Sequence, residues 1–201
     1  MKAPPEIADR MTSELLACRA EAIDLYGQPS CALIFDNEVL FAGEAPALWY
    51  PDSQLPARFH VQLSFDAMWD RCRAEFQLPH EVAHSLWASG AAGPSTVLDE
   101  VIACGFQEHW LREHRGRPTG PADFGSHYWR AAKLYRYLQL HHGDAWVSAL
   151  RTINPRIPSA APSDITKALP HIEESFSDRL CRTWSLAAID PSDPVLASAL
   201  A

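Results

Sequence analysis

Apolar residues recur at helical spacing from Ile7 through Met11, Leu15, Leu16, Ala22 and Leu25, after Pro4-Pro5, and stop at Tyr26-Gly27. That period predicts a scaffold helix. Cys31-Ala32-Leu33-Ile34-Phe35 and Glu38-Val39-Leu40-Phe41 are β-rich and flank Asp36-Asn37, a two-residue connection that predicts a tight hairpin. Positions 43–56 hold three prolines and the cluster Leu48-Trp49-Tyr50, and predict an irregular loop near a cleft. Strict alternation returns from Arg58 to Phe65, as in a half-buried strand, either purely structural or an edge strand that pairs with an extended ligand.

Helical patterns dominate thereafter. Asp66 is placed to cap a helix carrying Met68, Trp69, Cys72 and Phe76, and Pro79 predicts a break at Leu78-Pro79 with a new helix beyond it. On that helix Leu78, Val82 and Leu86 share one apolar face. Ser95 or Thr96 can cap the next helix, which runs from Leu98 toward Trp110 and Leu111; another spans Phe124 to Leu140 and closes at His141-His142-Gly143. A short amphipathic helix around Trp146, Val147 and Leu150 precedes a proline-rich connection at 155–162. Two last helical segments, Asp164 to Leu169 and Ile172 to Leu186, are expected to form a C-terminal cap, and 191–201 a loose tail. The pattern predicts an α+β fold: one compact, mainly helical domain over 1–201 with a small N-terminal β-sheet.

Composition narrows the function classes. The 201 residues are 47% hydrophobic and 21% charged with a net charge of −8, and no Lys/Arg cluster is present to neutralise phosphates, which argues against a nucleic-acid partner. Five cysteines without a C-x-x-C pair read as reduced thiols. The N-terminus lacks an apolar signal region and no stretch nears the roughly 20 apolar residues of a membrane span, so a cytoplasmic protein without a membrane partner is expected.

The chemistry concentrates at His80-Glu81-Val82-Ala83-His84. Positions i and i+4 lie on one helix face, so His80 and His84 present two imidazoles side by side, the HExxH arrangement that holds zinc while the glutamate takes a proton from the water that the ion activates. Two satisfied core histidines would leave Glu81 unexplained. For a third ligand, Asp99 and Glu100 are the only acids in an apolar run from Val97 to Phe106, and a buried carboxylate needs a strong partner. Glu100 is the candidate, with Asp99 as substitute or as a partner of a ligand. Both acids can alternatively be ordinary residues of a helix N-terminal turn. His109 lies about 180° from Glu100 around the helix, and His114 roughly 21 Å further along it at 1.5 Å per residue, so neither competes easily.

His80-Glu81-Val82-Ala83-His84 followed by Leu98-Asp99-Glu100-Val101-Ile102-Ala103 resembles the gluzincin signature, especially the Leu-Asn-Glu-Gly-Phe-Ala form of leukotriene-hydrolase-like and aminopeptidase-like zinc peptidases. Asp99 replaces their asparagine, and the gap between the motifs is shorter. Tyr128-Trp129-Arg130-Ala131-Ala132 is similar to their Tyr-x-Lys-Gly helix, with Arg130 and Ala131 departing from the lysine and glycine. The resemblance implies a zincin-like domain holding Zn2+ on His80, His84 and Glu100, with Glu81 as general base, Tyr128 stabilising the oxyanion, and a peptide or protein as substrate. Tyr128 can equally be a core aromatic. Gly43-Glu44-Ala45-Pro46-Ala47 is a poor match to the amine-gripping Gly-x-Met-Glu-Asn motif, so exopeptidase activity does not follow from the resemblance and endo- versus exopeptidase stays open. Two other readings use the same residues: an iron hydroxylase resembling the HExxH enzyme that modifies elongation factor P, and a metal-stabilised interaction domain without turnover.

Overall fold

The computed structural model describes residues 3–51, 58–90, 94–116 and 119–200. It is a mainly helical α+β structure with a small sheet near its N-terminus. Helix α1, Pro5–Tyr26, starts with proline where no intrahelical N–H is required, and buries the stripe Met11, Leu15, Cys18, Ala22 and Tyr26. Gly27, at φ 91, turns the chain out of the helix. Arg151 then donates to the carbonyls of Tyr26 at 2.6 Å and Gly27 at 2.8 Å, satisfying helix-end acceptors that lack partners of their own.

Strands β1 (Ile34–Phe41), β2 (Ala47–Trp49) and β3 (Arg58–Leu63) form one sheet in the order β1-β3-β2, with β1 parallel and β2 antiparallel to β3. The expected hairpin at Asp36-Asn37 is therefore replaced by a single strand. Its register slips between Phe35 and Val39, so that three residues of β1 face one of β3. A two-residue hairpin needs left-handed backbone at its turn, and His171 is the only non-glycine residue with positive φ among the described residues. Asp36 instead turns its carboxylate toward Arg58 at 3.7 Å and His60 at 3.9 Å. The predicted loop 43–56 contributes β2, and 52–57 lie outside the described residues. Because β3 is central, with partners on both sides, it cannot be the edge strand that sequence left open; β2 is an edge.

Helix α2, Arg71–Ser85, is also a correction. Asp66 lies in a 3-10 turn, Phe65–Met68, and Asp70 is the cap, accepting from the Arg73 N–H at 3.1 Å. The helix runs through Pro79 without a break. An interior proline removes one rung and crowds the carbonyl four residues back, at about 3 kcal/mol or more. Packing outweighs this here: residues 78–83 are all buried, and Gln107 donates to the Phe76 carbonyl at 2.6 Å, bracing α2 beside the weak rung.

Helix α3, Val97–Arg115, is capped by Thr96, whose hydroxyl accepts from the Asp99 N–H at 3.2 Å, and ends at Gly116 in the left-handed region. Helix α4, Pro121–His142, bends at Gly125 (φ 70, ψ 168), a conformation open to glycine. Helices α5 (Trp146–Ile153), α6 (Pro162–Ala168), α7 (Glu174–Leu180) and α8 (Ala197–Leu200) complete the fold. The last predicted segment, Ile172 to Leu186, shrinks to α7. Beyond it the chain returns to the core: Thr183 bridges Thr96, and the Trp184 N–H donates to the Ser95 carbonyl at 2.8 Å. The expected loose tail is docked, with Leu196, Ala199 and Leu200 buried and Lys133 donating to the Leu200 carbonyl at 2.9 Å. No helix among the described residues is long and apolar enough to cross a membrane.

α3 and α4 meet where Gly105 faces the Tyr135 ring, and a Cβ there would lie 2.1 Å from the ring's Cγ. Tyr135 cannot swing away freely, because its hydroxyl is 2.9 Å from that of buried Tyr26. Gly105→Ala is thus expected to destabilise the protein by about 1–3 kcal/mol or more through overpacking, against the usual gain of alanine over glycine in a helix. Urea denaturation measures it; a stability equal to or above the parent's would show that α4 yields.

Candidate metal centre

The side-by-side packing of α2 and α3 brings the motif residues together. His80, Glu81 and His84 come from the last two turns of α2, while Asp99 and Glu100 stand in the first turn of α3, placed there by the Thr96 cap. His80, Glu81, Asp99 and Glu100 are buried, each at most 9% exposed, and His84 is half-buried. The two imidazole Nε2 atoms are 3.1 Å apart. Glu100 Oε2 lies 3.2 Å from His80 Nε2, and its Oε1 lies 3.6 Å from His84 Nε2. Ligand atoms of these three residues all fall within 4.8 Å of one another.

Asp99 takes a different place. Its Oδ1 lies 2.7 Å from His84 Nδ1 and accepts from the Trp87 indole N–H, also at 2.7 Å. A carboxylate on Nδ1 keeps a proton there and turns Nε2 toward Glu100 and His80, so Nε2 is the atom that would take an ion in place of its own proton. Asp99 is therefore the partner of a ligand rather than the third ligand. His80 Nδ1 faces a softer neighbour, the thiol of Cys104 at 4.0 Å. Neither Trp87 nor Cys104 was foreseen, although Trp87 follows His84 by three residues and so shares its side of the helix.

Electrostatics favour a cation. Burial alone would lower the pKa of His84, but the Asp99 carboxylate, then Glu100 and Glu81, outweigh it and hold it at about 10. Burial would likewise raise Glu100, yet His80, His84 and the Ser95 hydroxyl keep it down at about 2. The carboxylates' pull on a proton at His84 is equally available to a metal ion. Burial raises Glu81 above the ordinary carboxylate range, opposed by both histidines. Three buried carboxylates thus face two imidazoles, and Glu100 Oε2, though 3.2 Å from His80 Nε2, makes no hydrogen bond of good geometry among the described residues. Orphaned buried acceptors are rare and costly, and a divalent ion would satisfy this one. Tetrahedral zinc at about 2.0–2.1 Å from N and O ligands separates them by about 3.3–3.4 Å, close to the 3.1 Å between the two Nε2 atoms and the 3.2 Å from His80 Nε2 to Glu100 Oε2; the 3.6 Å from His84 Nε2 is to the other carboxylate oxygen. The donor set fits such an ion.

The centre lies in a cleft of about 640 Å³, bordered across from α2 by Pro46, Ala47 and Leu48 at the edge strand β2. Tyr128 lines the same cleft, its ring perpendicular to that of His80 at 5.7 Å between centroids. Burial, with Glu100 behind it, raises the Tyr128 phenol to about 12, opposed slightly by the nearby Trp184 indole. Trp184 also packs on the ring at 5.5 Å, so the docked C-terminal segment reaches the site, a contact that helical spacing alone did not reveal. Of the other histidines, His109 and His114 both pair with Glu21, His127 packs on Tyr128 and Trp184, and His141 packs on Tyr137.

Comparison with protein-family models, with curated proteins and with solved structures finds no match. Arguments about the site therefore rest on its residues. His80→Ala is expected to abolish tight binding of Zn2+, and Asp99→Ala to weaken it about 10–100-fold, read by competition with a chromogenic chelator. Unchanged affinity in Asp99→Ala would show that His84 needs no partner at Nδ1.

Proposed function

We propose that this protein is a zinc-dependent peptidase of gluzincin type on a zincin-like domain. The observation that carries the reading is the convergence of His80, His84 and Glu100 in an open cleft with Glu81 beside them. An ion held there supplies Lewis acidity, polarising a carbonyl and lowering the pKa of water toward neutrality.

The chain's own groups account for the other steps. Glu81, ionised, accepts a proton from the attacking water at its carboxylate and returns it to the departing amide nitrogen. Its raised pKa suits both halves of that cycle. Tyr128 remains a phenol at neutral pH and donates its O–H to the carbonyl oxygen as negative charge develops. Asp99 orients His84 through Nδ1. An extended peptide would add to the edge of β2 that has no strand partner among the described residues, main chain to main chain, beside α2.

A set of two imidazoles and one carboxylate also suits non-haem iron, which favours a hydroxylase as the second reading. Metal analysis of protein purified without added metal separates them: zinc supports hydrolysis, iron with oxygen consumption the alternative. In the zinc-loaded protein, Glu81→Gln is expected to keep the metal and lose peptide cleavage, and Tyr128→Phe to lower kcat about 10²–10³-fold with KM little changed. Full activity of metal-loaded Glu81→Gln would overturn the mechanism. Zinc bound without cleavage across a broad peptide library would point to an interaction domain instead.

A further inference from the structure

The cleft's walls carry information about what enters it. Among the described residues lining it, the carboxylates are Glu44 at the exposed rim and Glu81, Asp99 and Glu100 in the depth; no Lys or Arg is present, and the basic groups are the two imidazoles that would hold the ion. Four carboxylates against one divalent ion leave a net charge of about −2 in a concave site, where field lines concentrate. A substrate carboxylate placed beyond the ion would meet no cation and would lose its hydration without repayment.

One end of the cleft is built for apolar matter. Phe76 stands one turn before His80 on the same face of α2, and Phe124 meets it edge to face at 5.1 Å. The polar groups at this end are turned to the protein itself. Gln107 donates to the Phe76 carbonyl, while Gln77 accepts from both the Ser64 N–H and hydroxyl and donates back to the hydroxyl. An incoming side chain therefore meets two aromatic rings and amides already engaged.

We infer that the substrate is the interior of a peptide, presenting a large apolar or aromatic side chain to Phe76 and Phe124 beside the cleaved bond, with acidic residues and a terminal carboxylate excluded. The inference rests on the peptidase reading and names its substrate class. Burying an apolar side chain there favours entry, whereas an aspartate at the same position loses its hydration with no partner to replace it.

Matched peptides blocked at both ends, differing only in Phe, Leu, Ala or Asp next to the cleaved bond, test it on the zinc-loaded full chain. Phe and Leu are expected to exceed Asp by about 100-fold or more in kcat/KM, and unblocking a nearby C-terminus to lower turnover. Phe124→Leu should keep most of this preference and Phe124→Ala reduce it about 10-fold. Equal turnover of Phe and Asp peptides overturns the inference and leaves the peptidase reading standing. A binding arm needs no turnover: calorimetry of the zinc-loaded protein with two hydroxamates, one bearing a benzyl and one a carboxymethyl group. Tighter binding of the benzyl compound supports the inference even if no peptide is cut, in which case only the hydrolytic reading falls. Equal or tighter binding of the carboxymethyl compound, or binding of neither, overturns it.

Discussion

The constraint from which the rest of the structure follows is an excess of buried negative charge between two helices. Glu81, Asp99 and Glu100 are each about 5% exposed or less, with two imidazoles to answer them. Taking an ionised carboxylate out of water costs several kcal/mol unless charge and hydrogen bonds replace the solvent. Asp99 is repaid locally by His84 and the Trp87 indole. Glu100 is repaid incompletely, its Oε2 lying 3.2 Å from His80 Nε2 without a well-formed hydrogen bond, at the place toward which both Nε2 atoms are turned. Such an arrangement is unfavourable for a purely structural core and favourable for one that takes up a cation, because binding free energy then becomes folding free energy.

Holding those groups within a few ångströms requires that α2 and α3 neither slide nor separate. Several otherwise unrelated features serve that end. Gln107 ties α3 to the α2 carbonyl next to Pro79, Thr96 fixes the start of α3 so that residues 99 and 100 face α2, and Gly105 lets α4 close on the far side of α3. The C-terminal return, through the Thr96–Thr183 bridge and the Trp184 N–H to Ser95, pins the entry to α3 from outside. The same return sets the Trp184 ring against Tyr128. A segment whose pattern suggested only a cap thus joins the ligand-bearing helix to the cleft-lining tyrosine.

How much of this was legible in the chain depends on how local each determinant is. The periods of α1, α3 and α4 and the i,i+4 histidine pair are properties of a single helix, and they stand in the structure where the pattern put them. The convergence of Glu100 with that pair followed from burial reasoning, since a carboxylate in an apolar run must find a partner. Pro79 misled because local cost was weighed without the packing that offsets it on every side of residues 78–83. Asp36-Asn37 misled because a turn dipeptide between two β-rich runs is equally compatible with a bulge inside one strand; the choice lies in pairing with β3, which is distant in sequence. The docking of Leu196 and Leu200 depends on the surface that α4 offers and is invisible in a short C-terminal run.

On the proposed reading, the division between helices and sheet follows from what each would have to do. A cation site needs donors fixed to within fractions of an ångström, and helices whose faces are packed on all sides supply that rigidity. Recognition of an extended chain needs unpaired backbone N–H and C=O groups at a constant spacing, which a helix has already consumed internally and a strand edge has not. In this fold β3 is sealed between β1 and β2, so only β2 brings such an edge to the cleft, and its antiparallel pairing to β3 places Leu48 opposite buried Val61. The bulge in β1 falls on the far side of the sheet from that edge, where an irregular register disturbs neither the strand beside the cleft nor the helices that hold the charged centre.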